Sequence, residues 1–404
     1  MISRPITKLD VYDLEASCMI QLAVEFSNKN VMFQVIDNLQ KSIIGLHLKT
    51  DDKRLIYTPE EVKVAKIPDN LQTLQEATEW VVKNNTPNYK DRIASLSASD
   101  NKVVLNINHA MADGGYFKYI IDHLFYPPSK TPYFTRLTTD IFSSQISSSP
   151  DTVKLWQCDP NLTRIQSKSK LPKVPSSYAK YHTFSSSTYD FKCYNPRTQK
   201  CDGLTETFWL SLILSTAAHN GFLDKTVGCC TCVDLRPYLL PHENDFSIGN
   251  CFSEITASTP ISLNATLRDV GARMREDLMK RNKRGEAFGF LKNIGKPMVD
   301  PIIPGVGLEI SNVGLIKIKK PIKDVWMSLS MQAKYTEDIV SLMGFSVLGN
   351  GRNDTTIRFR YCDSKLADDE TKSITNSIEY FFKNISLDKT VGDALDELKY
   401  VQKL

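Results

Sequence analysis

The segment Asn108-His109-Ala110-Met111-Ala112-Asp113-Gly114 holds the residue types that could do chemistry. An unperturbed histidine titrates near neutral pH, so it can take a proton from a hydroxyl or amine if one ring nitrogen faces the substrate and an acceptor holds the other. Asp113 leaves three readings open: it points toward His109, binds a metal with it, or turns away to anchor the loop. A helix over 109–113 would put both side chains on one face, as metal ligands sit. The strand-like run Lys102 to Asn108 before them and Gly114-Gly115 after them argue instead for a tight strand-to-helix turn. No third ligand accompanies the pair at a recognisable spacing, so no metal is expected. A histidine, three spacers, aspartate and glycine arise by chance in roughly one chain in twenty of this length, so the surroundings must carry the argument.

The elements that would mount this turn are readable from periodicity. Residues 18–26 form a predicted strand, and 29–43 a helix with Met32, Val35, Ile36, Leu39 and Ile43 on one face. A strand pair near 44–58 and a helix around Leu74, Trp80 and Val81 follow, then the 102–108 strand. Phe117, Ile120, Ile121 and Leu124 mark a helix over 116–125. From 127 to 190 the chain turns rich in Pro, Ser and Lys, including Pro127-Pro128-Ser129, and reads as a long crossover. Beyond it come a buried helix at 204–220, with Thr205 as N-cap and Gly221 as stop, and strands at 227–235 and 250–257. Helices at 263–283 and 367–385 should cover a sheet. A chain of 404 residues exceeds what one core usually serves, so two lobes with a site between them are expected. They are placed at 1–165, carrying the histidine loop, and 191–404, joined by a linker at 166–190.

Composition excludes several classes. With 41% hydrophobic and 24% charged residues the chain is an ordinary folding protein. Its 50 basic and 46 acidic residues leave a net +4, too balanced for a dedicated nucleic-acid binder. Nine cysteines without a repeating framework, and an N-terminus without a signal-like apolar core, point to a reducing, cytoplasmic setting. No run of eighteen apolar residues could span a bilayer, so any membrane contact would be peripheral. The last stretch, Val391 to Leu404, is read as packing on the protein through Val391, Leu395, Leu398 and Val401. Cys229 and Cys232 have ligand spacing, but no second pair exists, and Val227, Val233 and Leu235 beside them suggest a buried strand.

Further segments stand in a fixed order along the chain. Arg4 to Asp10 open the first strand, the apolar strand runs into the His109 turn, and the 204–220 helix follows the crossover. Val233-Asp234-Leu235-Arg236-Pro237 with Gly249-Asn250-Cys251-Phe252, and then Ile310-Ser311-Asn312-Val313-Gly314, complete the series. In these segments and their order the chain resembles the CoA-dependent acyltransferase superfamily, which includes chloramphenicol acetyltransferase, plant BAHD acyltransferases, fungal alcohol acetyltransferases and peptide-synthetase condensation domains. The resemblance implies an α/β fold of two related lobes, mixed sheets flanked by helices, and a tunnel admitting acyl-CoA from one face and an alcohol or amine from the other. It casts His109 as general base and Asp113 as a loop anchor paired with Arg236. Gly114, Asn312 and Ser330 become candidates for holding the oxyanion or lining the tunnel. Lys280, Arg281, Lys283 and Arg284 close a helix whose dipole favours positive charge, and are weaker candidates for CoA phosphates. The implied co-substrate is acetyl-CoA, with no permanently bound cofactor. Asn108 stands where condensation domains carry a second histidine. Asp324-Val325-Trp326-Met327-Ser328 replaces the plant Asp-Phe-Gly-Trp-Gly signature, so the fungal branch fits best. A catalytically silent binding relative, and a stand-alone condensation enzyme using carrier-bound thioesters, are the alternatives.

Overall fold

The computed structural model describes residues 2–403 apart from 52, 127–131, 152, 241–242 and 295–300. Strand Lys102–Asn108 is buried at every position, and it lies mid-sheet between antiparallel neighbours Met19–Phe26 and Ala94–Ala98. Ile322–Ser330 and Val64–Lys66 complete this five-stranded sheet at its two edges. Helix Leu74–Asn84 covers one face, seating Leu74, Ala77 and Val81 on Ala23, Ile67 and Val104. Helices Met32–Ser42 and Gly114–His123 lie in the larger core on the other face.

The second sheet has seven strands. Phe252–Pro260, Thr226–Asp234, Val306–Lys317, Ile339–Gly349, Arg352–Tyr361 and Lys180–Ser187 follow in that order, with the short Arg164–Ile165 also on Val306–Lys317. Its three central strands are parallel and its flanks antiparallel. Alternation along these strands sorts two faces. Leu308, Ile310, Leu342, Ile357 and Phe359 pack in a core with helices Leu204–Asn220, Leu267–Lys283, Asp368–Asn384 and Val391–Val401. Glu309, Ser311, Ser341, Met343 and Arg360 line a cavity instead. Mixed sheets flanked by helices in two lobes are thus the architecture of the chain.

Several elements differ from their sequence reading. Helix Leu204–Asn220 is apolar nearly all round because it is nearly all buried. Its N-cap is Gly203 at φ 75° rather than Thr205, while Gly221 at φ 85° ends it as anticipated. Arg4 lies in the short first strand, whereas Asp10 lies beyond it in a helix. Ser3–Pro5 pairs with Arg54–Tyr57 in a separate small sheet, and Thr7 and Asp10 form the capping box of helix Lys8–Glu15. The 127–190 stretch carries helices Thr138–Ile141 and Ser143–Ser148 and strand Lys180–Ser187. That strand is the half-exposed edge of the second sheet, so its polar sequence shows no apolar run. Pro127-Pro128-Ser129 lies outside the described residues, as does Leu404. Ile322–Ser330, within the 191–404 stretch, pairs along Met19–Phe26 in the first sheet. The final helix, Val391–Val401, buries Val391, Leu395 and Leu398. No described helix is long and apolar enough to cross a membrane.

The seating of Leu204–Asn220 on its sheet can be tested at Gly344, where an added Cβ would stand 2.4 Å from Phe208 Cζ. Overpacking of this kind costs about 1–3 kcal/mol, so Gly344→Ala should lower the melting temperature by several degrees. An unchanged melting curve would contradict the contact.

Candidate active site

His109 opens a single 3₁₀ turn, His109–Met111, directly after the buried strand. Asn108 shapes that turn: its Oδ1 accepts from Ala110 N at 3.0 Å and its Nδ2 donates to Asp13 O at 3.0 Å. The His109 amide donates to Cys18 O at 2.7 Å, and its carbonyl accepts from Asn250 Nδ2 at 2.8 Å. The histidine backbone is therefore clamped from both lobes. The ring packs 5.2 Å from that of Phe252. Its Nδ1 is buried without a hydrogen-bond partner among the described residues, so the acceptor anticipated at one ring nitrogen is not there. Nε2 is the nitrogen left to meet the cavity that His109 lines.

Asp113 has no capacity left for His109. Its Oδ1 accepts from Tyr116 N at 2.7 Å and meets Arg236 Nη2 at 2.8 Å. Its Oδ2 accepts from Cys251 N at 2.6 Å and Arg236 Nη1 at 3.0 Å. A carboxylate offers about four lone-pair sites, and all are filled. Arg236 also donates through Nη1 to Asp234 at 3.1 Å and through Nη2 to the carbonyls of Ile248 and Gly249 at 2.9 Å each. Burial opposes the Arg236 charge, yet the adjoining Asp113 carboxylate outweighs it and holds the guanidinium protonated more firmly than usual. This packing also explains two glycines. A Cβ on Gly115 would lie 2.2 Å from Arg236 Nη1, and one on Gly249 would lie 2.0 Å from Met111 O.

The cavity encloses about 200 Å³ between the two sheets. The first lobe contributes Tyr12, Asp13, His109 and Lys118; the second sheet contributes Phe252, Glu254, Glu309, Asn312 and Arg360. A second cavity, of about 220 Å³, shares Trp156, Glu254 and Phe290 with the first. Gly114 and Asn312 line the first cavity, although Asn312 Oδ1 is engaged by Gly314 N at 2.9 Å. Ser330 is not among its lining residues: its hydroxyl accepts from Gln21 Nε2 at 3.2 Å inside the first sheet. Three of the basic helix-end residues are paired within the chain, Lys280 with Glu276, Arg281 with Asp277 and Glu286, and Arg284 with Glu286. Lys283 is exposed.

Sequence reasoning missed the far wall. Glu309 pairs with Arg360 at 3.2 Å and accepts from the Cys232 thiol at 3.1 Å. Glu254 accepts from the Cys230 thiol at 3.2 Å. Burial, reinforced by the nearby Glu309 charge, pushes the Glu254 carboxyl up to about 8. Burial likewise raises Asp13 to about 6, although His109 pulls it down. Cys229 and Cys232 are three apart in one strand and so face opposite ways, which rules out a shared ligand set. Cys232 instead joins Glu254 and Glu309, their ligand atoms all within 4.8 Å of one another. The available signal was a charged residue alternating with apolar ones in strands that should be covered on both faces.

The sequence matches no protein-family model and no curated protein. The fold does have solved counterparts. Polyketide synthase associated protein 5 from Mycobacterium tuberculosis superposes with a TM-score of 0.65, covering 95% of this chain and 98% of its own, at 11% identity. The epimerization domain from the third module of tyrocidine synthetase B gives 0.62 over 100% and 98%, at 9% identity. The X-domain from teicoplanin biosynthesis gives 0.57 over 96% and 95%, at 10% identity. This likeness shows the fold, the two-lobe α/β architecture that condensation domains share with chloramphenicol acetyltransferase-like proteins.

Two measurements test the electrostatics. Asp113→Ala or Arg236→Ala strands a charge that is more than nine-tenths buried, at a cost of about 3–5 kcal/mol. The double variant should lose less stability than the sum of the singles, and additive losses would deny the pairing. The second test concerns Glu254, which faces Glu309, Arg360 and the Cys230 thiol. Its folded-state pKa of about 8 lies above the ordinary carboxyl value of 4.5, so the native state holds this proton more tightly than the unfolded chain. The resulting stability is complete below pH 4.5 and is lost as pH rises through 8. Wild-type melting should therefore fall between pH 6 and pH 8.5 relative to Glu254→Gln, and parallel curves would refute the shift.

Proposed function

We propose that the protein is an acyltransferase that moves an acyl group, acetyl by family resemblance, from acyl-CoA to the hydroxyl or amine of a small molecule. One observation carries this reading: His109 lines a cavity between the lobes, while Asp113 is fully committed to Arg236 and the backbone. The histidine is then the base and the aspartate the anchor.

Nε2 accepts the proton of the acceptor as its oxygen or nitrogen attacks the thioester carbonyl. The tetrahedral intermediate places negative charge on the former carbonyl oxygen and needs donors there. Gly114 opens helix Gly114–His123, whose first amides have no helical acceptor, and its dipole favours an anion at that end. Asn312 Nδ2 is a second donor from the opposite lobe. Ser330, turned into the first sheet, is not proposed for this task. Collapse of the intermediate breaks the C–S bond, and the protonated imidazole returns its proton to the thiolate. The scheme calls on no metal and no covalent acyl-enzyme.

A stand-alone condensation enzyme working on carrier-bound thioesters is the second reading, favoured by solved counterparts that include an epimerization domain and an X-domain. Asn108 weighs against it. The residue at the position of the second condensation histidine has its amide spent on Ala110 and Asp13, holding the turn. The basic helix end lends little to CoA binding, since most of its charge is met by neighbouring carboxylates.

Thiol release from acetyl-CoA, measured over a panel of alcohols and amines, tests the main reading. Loss of a positioned base costs about two to four orders of magnitude, so His109→Ala should lose turnover on that scale. Its melting temperature should stay close to wild type, because no hydrogen bond to the ring is broken. Near-normal turnover would remove His109 from the chemistry. Activity with a carrier thioester but not with acetyl-CoA would favour the condensation reading, and thiol release with neither would favour a silent binding relative.

A further inference from the structure

The proposed transfer creates a positive charge inside the cavity. His109 becomes an imidazolium when it takes the acceptor's proton, and a buried cation without a counter-charge is costly. Five acidic residues line the cavity and could answer it. Asp113 and Asp234 are already met by Arg236, and Glu309 by Arg360. Glu254 feels Glu309 and Arg360 rather than His109. The fifth is Asp13, whose carboxyl does feel His109.

Backbone hydrogen bonds bring Asp13 to the histidine turn. Its carbonyl accepts from the Cys18 amide at 2.9 Å and from Asn108 Nδ2 at 3.0 Å, while the Cys18 carbonyl accepts from the His109 amide at 2.7 Å. Helix Lys8–Glu15 is thereby held beside the turn, and Asp13 and His109 face one cavity. Asp13 is only 7% exposed, and no hydrogen bond from a described residue reaches its carboxylate. The other titratable groups around it offer no cation. Asp10, on its own helix, is paired with Arg4, and burial keeps the Tyr12 phenol and the Cys18 thiol neutral well past neutral pH. From the second sheet Arg360 acts on Tyr12 and Cys18 and is committed to Glu309. Burial pushes the Asp13 carboxyl up to about 6; His109 works against that rise and Asp10 adds to it. Above that pH Asp13 is an anion whose favourable partner is the imidazole.

We propose that Asp13 is a positioning residue that acts through His109: its carboxylate balances the imidazolium formed during transfer, a task for which Asp113 has no charge to spare. The role in transfer rests on the acyl-transfer reading, whereas the coupling of the two side chains stands on their shared cavity and the bonds that join their backbones. No proton passes to Asp13. The carboxylate stays ionised throughout, and the imidazolium keeps its proton until the departing thiolate takes it. The two side chains make no direct hydrogen bond, so the interaction is a field effect, which surroundings of low polarity strengthen. When pH falls below about 6 Asp13 takes up a proton, and this support of the imidazolium is lost.

Asp13→Asn tests the role, because it removes the charge and keeps the backbone carbonyl that holds Cys18 and Asn108. In thiol release from acetyl-CoA at pH 8, kcat should fall about ten- to hundredfold while the acceptor KM stays within about twofold, the scale of one to two pH units of electrostatic preference. The deficit should shrink severalfold by pH 5, where Asp13 is mostly protonated in the wild type as well. A loss of structure would lower turnover alike at both pH values, so a deficit independent of pH, or none at pH 8, would overturn the assignment. Carboxyl-carbon NMR titration of Asp13 without substrates tests the coupling by itself, and decides the matter if Asp13→Asn fails to fold. His109→Gln removes the group that pulls the Asp13 carboxyl down, so the Asp13 midpoint should rise from about 6 by about half a unit or more. An unmoved midpoint would overturn the coupling. The two measurements separate the two layers. A risen midpoint without thiol release supports the coupling and sinks the acyltransferase reading, while His109-dependent thiol release with an unmoved midpoint does the reverse.

Discussion

Asp113 and Arg236 meet at 2.8 Å with both side chains almost wholly withdrawn from water, and the geometry around His109 depends on that contact. Asp113 caps the helix after the histidine turn, while Arg236 gathers the carbonyls of Ile248 and Gly249 just before Asn250. Asn250 in turn holds the His109 carbonyl. One ion pair thus fixes the turn from below and joins it to the opposite lobe. Replacing such a pair with apolar residues is often neutral or favourable for stability. Here, however, apolar residues could not supply the hydrogen bonds that orient the turn.

The second sheet shows how one strand pattern serves two purposes. Residues facing the helices are Leu, Ile and Phe, and form a closed core. Their neighbours in sequence, turned the other way, include Glu309, Ser341 and Arg360. A cavity wall is the one covered face where polar groups can stay partly solvated when empty and find partners when filled. Their burial is therefore a property of the site, and burial reinforced by the Glu309 charge explains why Glu254 holds its proton to about pH 8.

The sequence disclosed the His109 turn, the two-lobe plan, and most helices with strong periodicity, such as Met32–Ser42 and Asp368–Asn384. Those readings worked because apolar spacing encodes burial directly. Lys180–Ser187 carries no strand signal because an edge strand needs no apolar run, and Thr205 reads as a cap because nothing in sequence announces that Gly203 is left-handed. The Asp113–Arg236 contact was legible only through family resemblance, since 123 positions separate its partners. Glu254, Glu309 and Asp13 went unread for a related reason. A lone acid in a strand looks like surface until the register of neighbouring strands brings several together.

Strand Ile322–Ser330 has a consequence for biosynthesis. It pairs along the whole of Met19–Phe26, which emerges from the ribosome some three hundred residues earlier. Until the later segment is made, one edge of the first sheet is an open row of backbone donors and acceptors beside the apolar residues Ile20, Leu22 and Val24. The first lobe therefore cannot finish folding until that strand has been made, and a nascent chain must hold this edge apart from others like it. Cutting the gene between the lobes would give a first half with an unsatisfied edge and a second half carrying an orphan strand, so the two halves are one folding unit despite their two cores.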